Sequence, residues 1–131
     1  MTKTSHNEGF ANAIRFCRID FGAEIDIDIS KIINRENSRS KEHYAIGTIK
    51  YSGNKTPDGI LMYIKSSITG DEPADVTEYA SKHETFPHQT TADQFFDEQQ
   101  FESYRKLGLH ISKAITDNSD LMLTLKQPMP N

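Results

Sequence analysis

Phe86–Ile111 reads FPHQTTADQFFDEQQFESYRKLGLHI, and the rest of the chain is arranged around how this stretch folds. Pro87 pushes the residue before it out of the α region, so a helix arriving from upstream ends by Thr85 or Phe86. Two capping boxes follow, Thr91 with Gln94 and Asp97 with Gln100. They predict a short helix over 91–96, a break near Asp97 and a longer helix over 98–115. Within the longer helix Phe101, Tyr104, Gly108, Ile111 and Ile115 recur at spacings of three and four. That periodicity predicts the inner stripe, with Gly108 marking close packing against another element.

Upstream, Ser5 and Glu8 form a capping box ahead of Phe10, Ala13, Ile14 and Cys17, which predicts a helix over 6–17. Gly22 stops it. Residues 24–29 then alternate, with Glu24, Asp26 and Asp28 on one face and Ile25, Ile27 and Ile29 on the other, the signature of a half-buried strand. A second strand is predicted over 44–51, where Gly47 marks a bulge or a close approach. The turn-forming run Ser52–Gly59 leads to a third strand over 60–65, whose near-continuous apolarity predicts cover on both faces. Acidic residues and Pro73 open a helix over 73–83 with Val76, Tyr79 and Ala80 inside. The fold class expected is α/β, or α+β for the chain taken in isolation. Residues 1–131 form one domain or domain fragment, with loosely ordered ends at 1–5 and 117–131.

Of 131 residues, 35% are apolar and 26% charged, so the core is thin and much of the chain is polar surface. The formal net charge of −4 argues against nucleic acid as the partner, because phosphate binding needs clustered Lys and Arg. The one basic run, Lys31, Arg35, Arg39 and Lys41, is diluted by polar residues and fits a solvated connection better than a phosphate contact. Cys17 is the single cysteine, so an intramolecular disulfide is excluded. Its place on an apolar helical face reads as a small packed hydrophobe.

The motifs that could carry chemistry mostly fail on geometry. His83 and His88 stand five apart with Pro87 between them, which prevents the single helical face that a His-Glu-x-x-His zinc site needs. Asp20-Phe21-Gly22 spells the kinase magnesium motif without the loops that accompany it, and Gly-x-Ser-x-Gly is absent. A nuclease reading from Asp58 to Lys65 lacks the acid that should stand where Tyr63 does. His88 has no recognisable nucleophile and reads as structural. Glu24, Asp26 and Asp28 could hold a divalent cation, though three acids along a strand also describe its wet side. They define one alternative, a small metal-dependent enzyme.

Taken together, NEGFANAIRFCRIDFGAEIDIDI, HYAIGTIKY, GILMYIKSSITGDEPADVTEYA and FPHQTTADQFFDEQQFESYRKLGLH resemble the C-terminal portion of bacterial patatin-like phospholipases over roughly Glu8 to Ile111. The resemblance implies a larger α/β/α sandwich and a parent reaction of ester hydrolysis on phospholipids or other acyl lipids. It also implies a Ser in Gly-x-Ser-x-Gly, an Asp in Asp-Gly-Gly or Asp-Gly-Ala and a Gly-rich oxyanion loop, all upstream of the part resembled. None of these maps onto a residue of this chain. The expectation is therefore a non-catalytic C-terminal segment with no catalytic, cofactor-binding or metal-binding residue of its own and no cofactor. Its expected partner is the catalytic half of a patatin-like domain or a second copy of the chain, with a lipid surface as a further contact. The alternative is a stand-alone interaction module derived from that fold. The expected location is the cytoplasm, or a membrane reached through a larger parent protein.

Overall fold

A computed structural model describes residues 5–33 and 39–127, with the side chains of 5–7 excepted. The element order is α1 (Ser5–Phe21), β1 (Glu24–Ile27), β2 (Tyr44–Lys50), β3 (Gly59–Ile64), α2 (Ala74–Lys82), α3 (Glu98–Thr116) and α4 (Ser119–Lys126). The three strands form one antiparallel sheet in the order β1-β2-β3, which makes the fold α+β. The chain divides into two compact units, one of Met1–Asp28, Ile46–Tyr63 and Gln127–Asn131, the other of Ile29–Ala45 and Ile64–Lys126.

In the first unit α1 runs four residues past the predicted end at Cys17. It closes at Gly22, whose φ of 62° sits in the left-handed region, with Gly22 N–H donating to Arg18 O and Ala23 N–H to Cys17 O. Phe10, Ile14 and Cys17 are half-buried, whereas Ala13 is exposed. Phe10 stacks on Tyr63 of β3 with centroids 4.4 Å apart. β1 is shorter than predicted and stops at Ile27, and its register sets Ile27 opposite Gly47. Gly47 is the close approach expected from its place in the strand: a Cβ there would lie 2.5 Å from Asp26 O and 2.5 Å from Ile27 Cβ. β3 is half-buried from Gly59 to Tyr63 and exposed at Ile64, so the doubly covered strand expected from its apolarity is corrected to one of intermediate exposure.

The second unit is built on α2 packed against α3. Val76 and Tyr79 of α2 are buried, as are Leu107, Ile111 and Ile115 of α3, and burial of side chains this size stabilises by roughly 1.5–3 kcal/mol each. The inner stripe of α3 is Gln100, Ser103, Leu107, Ile111 and Ile115, which keeps the predicted Ile111 and Ile115 but not Phe101, Tyr104 and Gly108. Phe101 is exposed, and the space around Gly108 is open within 4 Å. The aromatic Phe101 and Tyr104 drew the N-terminal half of the stripe one residue off phase, because Gln100 and Ser103 are polar yet face inward. Asp97 caps α3 as expected, its side chain accepting from Gln100 N–H at 2.7 Å.

The helix predicted over 91–96 does not form. Thr90 Oγ1 accepts from Ala92 N–H and Asp93 Oδ1 from Phe95 N–H, so local side-chain acceptors take the amides that a helix would have used. Before it, Gln89 ties the stretch down: its N–H donates to Tyr104 Oη at 3.2 Å, its Nε2 to Tyr79 Oη at 3.4 Å, and its Oε1 accepts from Gln100 Nε2 at 3.1 Å. Phe86 is wedged edge-on between the rings of Tyr79 and Tyr104. Residues 119–126, expected within a loose end, are α4, whose first turn is capped by Asn118 Oδ1 accepting from Leu121 N–H. Among the described residues, no helix is long and apolar enough to cross a membrane.

Candidate functional site

The turn Thr69-Gly70-Asp71-Glu72 lies just ahead of α2 and builds the polar centre of the second unit. The expected helix start at Pro73 is its N-cap instead, with α2 beginning at Ala74. Glu72 does not serve the helix dipole as expected. Its carboxylate folds back to accept from Thr69 N–H at 2.6 Å and Gly70 N–H at 2.9 Å, while Thr69 Oγ1 stands 3.1 Å from Oε1. Gly70 is needed at φ 108°, the region glycine enters without steric cost, for both amides to face one carboxylate. The Glu72 side chain is fully buried.

His43, one residue before β2, reaches the same centre from the other side. Its Nδ1 lies 3.2 Å from Ser67 Oγ, and its Nε2 lies 3.2 Å from Thr69 Oγ1 and 3.8 Å from Glu72 Oε1. His110 of α3 completes the group, with Nε2 3.0 Å from Asp71 Oδ1 and its ring edge-on to His43 at 5.4 Å. One ligand-type atom from each of His43, Asp71, Glu72 and His110 lies within 4.8 Å of the others. His43 and Glu72 are buried, whereas Asp71 is 73% exposed in its side chain and His110 lies between, so the group has an inner half and a rim.

Electrostatics follow that gradient. Burial pushes the His43 imidazole below its ordinary value, against the opposing pull of Glu72. Burial raises Glu72, but the amides of Thr69 and Gly70 outweigh it and hold the carboxyl below its usual range. The Thr69 hydroxyl, opposed by burial and helped by His110, holds Asp71 low as well. The inner half thus pairs an ionised carboxylate with a neutral imidazole.

The proton positions admit two schemes. With the His43 proton on Nε2, Ser67 donates to Nδ1, Nε2–H donates to Thr69 Oγ1, and the Thr69 hydroxyl donates to Asp71 Oδ1. With Ser67 donating instead to Lys65 O at 3.3 Å, Nδ1 carries the proton and Nε2 turns a bare lone pair toward Thr69 and Glu72.

A hydroxyl on one imidazole nitrogen and a carboxylate near the other is the connectivity of a Ser-His-acid relay. Burial rules out that use. Ser67 is 0% exposed, so no acyl carbon can reach its Oγ.

The acids proposed from the sequence as a metal site stand elsewhere, in the first unit. Glu24, Asp26 and Asp28 are exposed, Asp28 lies beyond the end of β1, and Glu24 pairs with Lys50 Nζ at 3.6 Å. Glu24 and Asp26 line an open cleft of about 420 Å³ together with Arg18 and Lys50, whose positive charges compete with any cation. His83 stacks on Tyr79 at 4.0 Å, and His88 is exposed with its N–H on Thr85 O. The quartet escaped the sequence reading because its members are far apart in the chain and Asp71 and Glu72 look like ordinary acids at a helix start. The one available signal was a Thr-Gly-Asp-Glu turn, which a glycine makes able to wrap a carboxylate. A comparison with family models, with curated proteins and with solved structures found no match.

Proposed function

We propose that this chain acts as a non-catalytic packing segment of a lipid acyl hydrolase of the patatin-like type, docking on the part that carries the serine and aspartate. The observation that supports this reading is the exposure of three phenyl rings inside the stretch that bears the resemblance: Phe95 at 93%, Phe96 at 49% and Phe101 at 63%. An aromatic ring that stays in water forgoes roughly 1.5–3 kcal/mol of burial, so three such rings within one short stretch supply apolar surface for a partner to cover. The first unit carries a similar set on α1, with Phe16, Ile19 and Phe21 exposed. The reading places the chain in the cytoplasm, or at a lipid surface through the hydrolase it completes.

The experiment is to purify the full chain, measure hydrolysis of short and long acyl esters, and titrate the chain with a domain that holds Gly-x-Ser-x-Gly and Asp-Gly-Gly. The expected result is no turnover by the chain alone and binding to that domain that weakens at least tenfold in Phe95→Ser/Phe101→Ser. Turnover by the chain itself, or a strict monomer that binds neither the domain nor an apolar dye, overturns the reading.

A further inference from the structure

We propose that His43, Asp71, Glu72 and His110 form a binding site for a zinc-type divalent cation, with His43 Nε2, His110 Nε2 and one oxygen from each carboxylate as ligands. The inference is independent of the docking role and concerns only the second unit.

Two imidazoles and two carboxylates are a donor set that suits zinc. Four ligands at zinc bond lengths stand about 3.4 Å apart along the edges of a tetrahedron. Two of the pairs bracket that value, 3.0 Å for His110 with Asp71 and 3.8 Å for His43 with Glu72, and one ligand-type atom from each residue already lies within 4.8 Å of the others. Drawing separations of up to 4.8 Å in to that value takes side-chain adjustment, for which the exposed Asp71 at the rim leaves room.

The hydrogen-bond accounting points the same way. In the scheme where Ser67 donates to Lys65 O, three acceptors converge on Thr69 Oγ1: His43 Nε2, Asp71 Oδ1 and Glu72 Oε1. That hydroxyl has one proton to give. A cation among the three supplies the missing positive charge, and the same scheme turns the His43 lone pair toward it.

The surrounding groups are those a metal site uses. Ser67 holds Nδ1 of His43 and so orients the ring, the role of an outer partner of a ligating histidine. The amides of Thr69 and Gly70 fix the Glu72 carboxylate. Among the described residues the ion pair made by Glu72 is with His43, and Arg39, which lines the same cleft beside Gly70, makes none with it. The exposed Asp71 and the half-buried His110 give the ion a way in from solvent.

The test is zinc titration of the full chain after treatment with a chelator, read by calorimetry and by the visible spectrum of the cobalt-substituted protein. One equivalent should bind, with a tetrahedral cobalt spectrum. Asp71→Asn and His110→Asn, both rim changes that leave Val76 and Leu107 in place, should each weaken zinc by about 100-fold or more, beyond the ~10–100-fold typical of an outer partner. Asp26→Asn in the first unit should bind like the unaltered chain. Failure of the unaltered chain to take up zinc at micromolar concentration overturns the proposal, as does uptake unchanged in both rim variants while their circular dichroism is unaltered.

Discussion

Gly47 faces Ile27 across β1 and β2 at a distance that leaves no room for a methyl group. Gly47→Ala should therefore lower stability by about 1–3 kcal/mol, as overpacking against backbone does, read as a drop in the denaturant midpoint at unchanged slope. The residues around Glu72 give a second prediction. In metal-free protein His43 has a folded value below its ordinary 6.5, so the unfolded chain binds the extra proton first and stability falls as pH drops below about 6.5. Glu72 and Asp71 are also depressed, and their contribution is present above the ordinary carboxylate range of about 4–4.5 and lost as pH falls through the lower folded values. The denaturation midpoint should thus decline in two stages on acidification, with His43→Gln removing the upper stage. His110 faces both His43 and Asp71, and Asp71, being exposed, adds little to the second stage.

At the scale of elements, the two capping boxes in the central stretch separate what a local signal can and cannot decide. Asp97 caps α3, whereas Thr91 caps nothing, because Thr90 and Asp93 had already drawn the neighbouring amides into turns. Asp97→Ala should cost about 1 kcal/mol, and Thr91→Ala should change the thermal midpoint by no more than its error. Strand alternation in 24–27, the stop at Gly22 and the close approach at Gly47 were legible because each depends on residues near in sequence. The phase of α3 was not. Gln100 turns inward because Gln89 Oε1 awaits it there, a partner set by the tertiary fold, while the Ser103 hydroxyl is satisfied within the helix by Gln99 O one turn back and so can be buried. The quartet was illegible for the same reason, since His43 and His110 stand 67 positions apart.

For the whole molecule, the balance between buried and exposed apolar residues separates folding from association. Leu107 is almost fully buried, and Leu107→Ala should cost about 2–5 kcal/mol in a chemical denaturation series. Phe95→Ser/Phe101→Ser should leave stability within about 0.5 kcal/mol per site while reducing apolar-dye binding, because these rings lose little water when the chain folds. The tyrosines have an optical consequence. The chain has no tryptophan and five tyrosines, so its intrinsic emission is tyrosine light alone. Tyr51 and Tyr63 belong to the first unit, and Tyr44, Tyr79 and Tyr104 to the second. Replacing Tyr44, Tyr51 and Tyr63 with Phe confines the signal to Tyr79 and Tyr104, which both touch Gln89 and Phe86. The emission of that variant is a built-in gauge of the α2–α3 junction, to be followed beside the circular dichroism of the entire chain.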